Sequence, residues 1–276
     1  MYLAVDIGGT KTLVASFSNE GEIQERLKFP TPRDYQEFLD ELAKNVANLS
    51  TSNLEVAVVA IPGLLDRQKG IVFALGNLPW QNERILEDIS NHLGGLRVII
   101  ENDARLGGLA EAALLKDSYQ RVLYLTVSTG IGGALIQDGR IAKLLEDTEM
   151  GKMPLVFNGK VNHWEDFAGG RGVVSRFGKY ASEITDHESW HEIGINLSMG
   201  IGAICSVLQP EVIVFGGGVG QFADKFTPTI ATYLEKELHP VVRRPKALLA
   251  ASHKEDGVIY GCYELVRQSL ETLPQA

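Results

Sequence analysis

A chain of 276 residues, 45% hydrophobic and 22% charged, is long enough for one large domain or two modest ones and has an ordinary globular composition. Its formal net charge of −9 argues against a nucleic-acid surface as its main business, although a local pocket can still oppose that charge and take an anionic substrate. Two cysteines, Cys205 and Cys262, are too few for a disulfide framework or a four-cysteine zinc site, so a reducing, cytoplasmic setting is the simplest expectation. No signal peptide and no apolar run of bilayer-spanning length are expected, and no membrane partner. The first strand begins at residue 2, so no N-terminal DNA-binding module and no nucleic-acid partner are expected.

The first predicted element is an apolar strand, Leu3 to Ile7, that runs into Gly8-Gly9-Thr10-Lys11 and returns as Leu13 to Phe17. Glycine lets backbone N–H groups approach an anion without an obstructing Cβ. Asp6, at the strand end, suits a hydrated metal ion held beside that anion. A third strand spans Ile23 to Phe29, and the spacing of Phe38, Leu39, Leu42, Val46 and Leu49 predicts a helix over 34–49. Strands follow at Glu55 to Ile61, ending in Pro62-Gly63, and at Arg97 to Ile100, ending in Glu101-Asn102-Asp103, with a helix from about Ala104 to Leu115.

The pattern then restarts. A strand from Val122 to Val127 meets Ser128-Thr129-Gly130-Ile131-Gly132-Gly133, and Ala134 to Gln137 returns toward a hairpin turn at Asp138-Gly139. A long helix over 187–208, a strand from Val212 to Phe215, Gly216-Gly217-Gly218, a helix over 222–238, a strand at 247–250 and a helix over 258–270 complete the chain. Such an order is that of an α/β protein with two similar halves. The expected division is 1–117, with the C-terminal helix of about 258–276 packing back on it, and 118–257.

Three glycine-rich turns that each follow a strand suggest one nucleotide gripped from several sides. Backbone N–H nests and helix N-termini favour phosphates, with hydroxyls from Thr10, Ser128 and Thr129 added. None of the turns has the Walker A spacing or the dinucleotide fingerprint. Strand ends in α/β sheets face the ligand crevice, so Asp103 is a candidate to take a proton from an attacking hydroxyl and Asn102 to orient it. Helix N-capping is the competing role for both.

These pieces together resemble the ROK family, named for repressors, open reading frames and kinases, within the actin-like ATPase superfamily. The matching stretches are Asp6 to Lys11, Pro62-Gly63, Asn77-Leu78-Pro79, Glu101 to Ala104, Ser128 to Gly133 and Phe215 to Gly218. The resemblance implies two α/β domains of ribonuclease-H-like type with an active site in the cleft between them. It implies phosphorylation of a hexose, glucose at the 6-hydroxyl being the first expectation, with ATP and Mg²⁺. The alternatives are a polyphosphate-dependent glucokinase and a non-catalytic sugar sensor. By position, Asp103 would be the catalytic base and Asp6 would hold magnesium through water. Gly63, Asn77, Asn102, Asp103, Glu149, Lys152 and Glu165 would meet the sugar. Gly8, Gly9, Thr10, Lys11, Ser128, Thr129, Gly130, Gly132, Gly216, Gly217 and Gly218 would meet the nucleotide. A homodimer is the family expectation.

The chain also departs from the family pattern. Where the family carries Gly-Glu-x-Gly-His, this sequence has Thr148-Glu149-Met150-Gly151-Lys152, and Lys152 donates hydrogen bonds but accepts none. Lys152 is open to an ion pair with Glu149 or Glu165, or to altered specificity. The cysteine-rich zinc loop is absent, so no zinc is expected. His163 is expected at the surface, Trp164 in the core or against a sugar face, and Arg243-Arg244 with Lys246 as a solvated basic patch open to a polyanion.

Overall fold

The computed structural model describes residues 1–51 and 53–271. In chain order the elements are β1 (Tyr2–Ile7), β2 (Lys11–Phe17), β3 (Ile23–Pro30), α1 (Tyr35–Ala47), β4 (Val56–Ile61), β5 (Leu64–Asp66), β6 (Ile71–Ala74), β7 (Gln81–Glu83), α2 (Ile85–His92), β8 (Arg97–Asn102) and α3 (Asp103–Leu115). They continue with β9 (Arg121–Val127), β10 (Ile131–Gln137), β11 (Arg140–Ile141), β12 (Pro154–Phe157), β13 (Lys160–His163), α4 (Trp164–Ala168), α5 (Gly170–Phe177), α6 (His187–Leu208), β14 (Val212–Gly216), α7 (Gly217–Gly220), α8 (Ala223–Glu237), β15 (Ala247–Ala250) and α9 (Gly257–Glu271). The chain divides into two compact units, Met1–Ala110 with the segment from Val258 onward, and Glu111–Gly257.

The first unit is built on a five-stranded sheet in the order β3-β2-β1-β4-β8. β1, β2 and β3 pair antiparallel, whereas β1-β4 and β4-β8 pair parallel. β4 is buried along its whole length, as a central strand covered on both faces must be. Val59 and Ile61 join Phe38, Leu39 and Leu42 of α1 and Ile85 and Ile89 of α2 in one core. Val58 and Ala60 join Leu106 of α3 and Ile259, Cys262 and Val266 of α9 in the other. α3 and α9 approach closely at Gly261, where a Cβ would run into the Leu106 backbone carbonyl. Helix α1 is capped by Asp34, whose carboxylate accepts the Glu37 N–H at 2.9 Å.

The second unit repeats this frame, with the order β11-β10-β9-β14-β15. Its first three strands are again antiparallel and its last two pairings parallel. Leu123, Leu125, Ile213 and Phe215 of the sheet pack against Ile193, Leu197 and Ile201 of α6 and Phe226 and Ile230 of α8. α6 passes as a membrane-length helix by length and composition, which corrects the expectation that no such apolar run exists; more than half of its most apolar stretch is buried in this core. Asp186 caps α6 by accepting the Ser189 N–H at 2.8 Å. The Asp138-Gly139 turn has φ of 51° and 75°, the left-handed pair that a two-residue hairpin prefers.

Candidate active site

In the first unit the strand register sets Asp6, Ala60 and Glu101 in one row across β1, β4 and β8. β8 runs two residues further than its apolar stretch, through Asn102, so Asp103 is the first residue of α3. Asn102 is buried, and its Oδ1 accepts the Ala104 N–H at 3.0 Å and the Arg105 N–H at 3.4 Å. The capping role is therefore present, and it fixes where Asp103 leaves the strand. Glu101 is neutralised in place: Arg67 Nε reaches both carboxylate oxygens at 2.9 Å, and Arg67 Nη2 reaches Oε1 at 2.6 Å.

Asp6 and Asp103 differ from Glu101. Burial first, and the Asp103 charge second, push the Asp6 carboxyl up to about 7, against a smaller lowering by Lys28. Burial also pushes Asp103 up, opposed by the Ala104 N–H and the Arg105 charge. Two carboxyls that influence each other in this way are poised to accept protons or to share a cation. Beside them the β1–β2 tip is held by Gly8 N–H to the Lys11 carbonyl at 3.0 Å and by Thr31 Oγ1 to the Gly8 carbonyl at 2.8 Å. Thr10 and Lys11 are exposed on that tip. Gly9 lies against Asn77, whose side chain a Cβ would meet at 2.5 Å. Gly63 takes φ +107° and packs on the Ala74 carbonyl, a conformation that favours glycine.

In the second unit the β9–β10 tip, Ser128 to Gly130, closes through Ser128 N–H to the Gly130 carbonyl at 2.9 Å. The N-terminus of α5 docks on it: Gly170 N–H donates to the Ser128 carbonyl at 2.6 Å and Arg171 N–H to the Thr129 carbonyl at 3.0 Å. The same region opens a cavity of about 680 Å³ lined by Ser128, Thr129, Arg171, Tyr180, Gly218 and Gln221 among others. Two of the three glycine turns thus meet at one cavity. Gly217 has φ +83° and its Cβ position is filled by the Val127 carbonyl and Thr126 Oγ1. Gly216, the end of β14, sits against the Tyr124 hydroxyl. Gly132 lies within β10, opposite Thr126.

A model of the ROK family matches residues 2–269. The chain belongs to the ROK family. Among its ROK relatives, the N-acetyl-D-glucosamine kinase of Escherichia fergusonii is 29% identical over 301 aligned positions, covering 95% of this chain and 97% of that one. The glucokinase of Streptomyces coelicolor is 24% identical over 310, covering 96% and 97%. Among solved structures, a ROK family glucokinase from Streptomyces griseus in complex with glucose and AMPPNP superposes with a TM-score of 0.79 at 24% identity, covering 97% of this chain and 99% of that one. The fold is therefore the two-domain actin-like ATPase fold, and these relatives are sugar kinases, which are phosphotransferases.

Within this ROK chain the expected sugar-side residues of the second unit are arranged unequally. Glu149 is exposed. Of the two partners open to Lys152, Glu165 is one that it reaches: Lys152 Nζ binds Glu165 Oε1. Glu165 is buried, and its other oxygen accepts the Ile131 N–H at 3.1 Å. Burial alone would raise the Glu165 carboxyl; the Lys152 and Ile131 hydrogen bonds and the charges of Lys152 and Arg171 outweigh it and hold it below the ordinary value. Trp164 is fully buried, with Nε1 donating to the Asn196 carbonyl at 3.2 Å, so the sugar-face alternative for it is corrected. His163 is exposed and caps α4 with Asp166. In the basic patch, Lys246 pairs with Glu211 at 3.3 Å and Arg244 donates to the Leu234 and Glu235 carbonyls at 3.2 and 2.8 Å. Sequence reasoning missed Arg171, Tyr180 and Gln221 in the cavity; the only local signal was the Gly169-Gly170-Arg171-Gly172 run after a short apolar segment.

Proposed function

We propose that this sugar kinase transfers the γ-phosphoryl group of ATP to a hexose hydroxyl, the 6-hydroxyl of glucose first among candidates, with Asp103 as the general base. The observation that carries the reading is the pair of carboxyls at the ends of β1 and β8, both raised by burial, with Asp103 set at the start of α3. A carboxyl raised above its ordinary value holds a proton more firmly, which suits a general base. Phosphoryl transfer otherwise asks for positioning and neutralisation of charge.

Asp103 accepts the hydroxyl proton on a carboxylate oxygen, and Asn102, whose Oδ1 caps α3, keeps the amide side of its side chain for the same substrate. Gly63 and Asn77 border the sugar. The Ser128–Gly130 tip takes the donor phosphates, and the cavity it shares with Gly218, Arg171 and Tyr180 takes the nucleoside. Its apolar lining by Val174, Ala181 and Val219 favours a nucleotide over an inorganic polyphosphate, which has no apolar part to bury.

Magnesium keeps several of its waters and takes only one or two carboxylates from a protein. Asp6, beside the Gly8–Gly9 tip, would hold such an ion through its waters; among the described residues no group of three or more His, Cys, Asp or Glu forms a direct metal cage. When bound there it supplies neutralisation of the transferring phosphate charge.

The test is a coupled assay over hexoses and N-acetylhexosamines, each with ATP and with polyphosphate, comparing the unmodified protein with Asp103→Asn. Turnover on one sugar, cut roughly 10²–10⁴-fold in the variant while calorimetry still detects sugar binding, is expected. Near-normal turnover in the variant removes Asp103 from the role. Sugar binding with no turnover in the unmodified protein makes it a sensor.

A further inference from the structure

We infer that Lys152 and Glu165 act as a positioning pair that holds the Ser128–Ile131 tip in the shape that receives the donor's phosphates; this rests on the reading of that tip as the donor site. The chain of contacts starts in the core. Trp164, fully buried, seats the first turn of α4 against Gly200 of α6, where a Cβ would collide with the indole. Its neighbour Glu165 is thereby carried to the β9–β10 tip. One carboxylate oxygen takes the Ile131 N–H at 3.1 Å, and the other takes Lys152 Nζ. The Glu165 carbonyl accepts the Gly169 N–H at 3.0 Å, which turns the chain into α5. The α5 N–H groups of Gly170 and Arg171 then close on Ser128 and Thr129.

Two glycines show how tightly the carboxylate is enclosed. A Cβ on Gly130 would collide with Glu165 Oε2, and one on Gly151 would lie 2.8 Å from the same oxygen and collide with the Ile131 carbonyl. A buried carboxylate in such a space is tolerated only when paired and hydrogen-bonded. Lys152 is the cation that pairs it, from the short turn Met150–Lys152. The pair therefore ties three segments together: the 150–152 turn, α4 and the donor tip. Neither residue needs to touch phosphate; removing Lys152 leaves Glu165 buried with only the Ile131 hydrogen bond and the Arg171 charge to answer it, and the Ile131 anchor is the contact that yields.

Lys152 has a largely exposed side chain, so Lys152→Met is expected to fold. Three readings are taken on the unmodified protein, Lys152→Met and Lys152→Arg: amide exchange of 128–133, calorimetric affinity for AMPPNP with magnesium, and affinity for the best-binding hexose. Lys152→Met is expected to expose the Ile131 amide to exchange and weaken AMPPNP about 10–100-fold, the scale of a lost charge-assisted hydrogen bond, with any loss of hexose affinity the smaller of the two. Lys152→Arg is expected to restore both changes. Unaltered AMPPNP affinity in Lys152→Met overturns the inference, whatever the exchange shows. A hexose loss larger than the AMPPNP loss makes Lys152 a sugar reader, and equal losses of both ligands make the pair a general brace; either overturns it. An unmodified protein that binds hexose but no AMPPNP refutes the donor reading itself, and the inference falls with it.

Discussion

The two units share a sheet order, a pattern of pairing and a glycine-bearing hairpin tip, yet they treat a carboxyl beside that tip in opposite ways. In the second unit Glu165 is fully answered by Lys152 and the Ile131 N–H, and its carboxyl is held below the ordinary value. In the first unit Asp6 has Asp103 as an anionic neighbour and is pushed up to about 7. The paired carboxylate has its charge answered within its own unit, whereas burial raises the two carboxyls of the first unit and favours their protonated form. Glu101, buried and clamped by Arg67, is a paired carboxylate of the first unit, whereas the half-buried Asp6 faces the Asp103 charge. Raised carboxyls of that kind are concentrated where chemistry is done.

The contrast can be broken by experiment, and the largest expected effect is on turnover through Asp103→Asn. Next comes Trp164→Ala, which removes the anchor of Glu165. A buried Trp truncated to Ala costs about 3–5 kcal/mol, read as a shift in denaturant midpoint, with AMPPNP affinity falling alongside. A variant that loses stability but keeps full AMPPNP affinity would separate the core of the second unit from its tip.

Asp6→Asn sharpens the contrast from the other side. The Asp6 carboxyl rises from an ordinary 3.8 to about 7, so between those values the native state binds more protons than the unfolded one. Stability contributed by this group is present below about 4 and is lost as pH rises through about 7. Asp6→Asn should therefore leave stability nearly unchanged at pH 4. In EDTA at pH 8 it should stabilise by about 1–3 kcal/mol, on the scale of a relieved buried charge, while turnover falls. Equal melting of the two proteins at pH 8 would show that Asp6 carries no such strain.

The smallest effect concerns a device used identically in both units. Asp34 and Asp186 each cap a helix through one N–H, and each changed to Ala should cost about 1 kcal/mol. A cost confined to one of them would show that the two units do not use the cap alike.

Much of this architecture was legible from local rules. The 187–208 helix and the 247–250 strand match their predicted bounds, because an aspartate cap, a continuous apolar face and an apolar run between polar turns are local features. The β5-β6-β7 sheet, the β12–β13 hairpin and α4 were not predicted; each is short and draws its order from what it packs against. Strand β8 extends through Asn102, past the apolar stretch, because pairing with β4, whose Ile61 stands opposite Asn102, holds polar residues in a strand that hydrophobicity alone would end early.

The sequence by itself determined the alternation of strands and helices, the three glycine turns after strands and the membership those turns announce, since all of these depend on residues close together in the chain. Only the tertiary structure decided which glycines are irreplaceable, that Trp164 lies in the core, that Lys152 answers Glu165, and that Asp6 is raised while Glu101 is clamped by an arginine 34 residues away. Those outcomes depend on burial and on charges brought together by folding, and the energy of a carboxylate is set by what surrounds it in space.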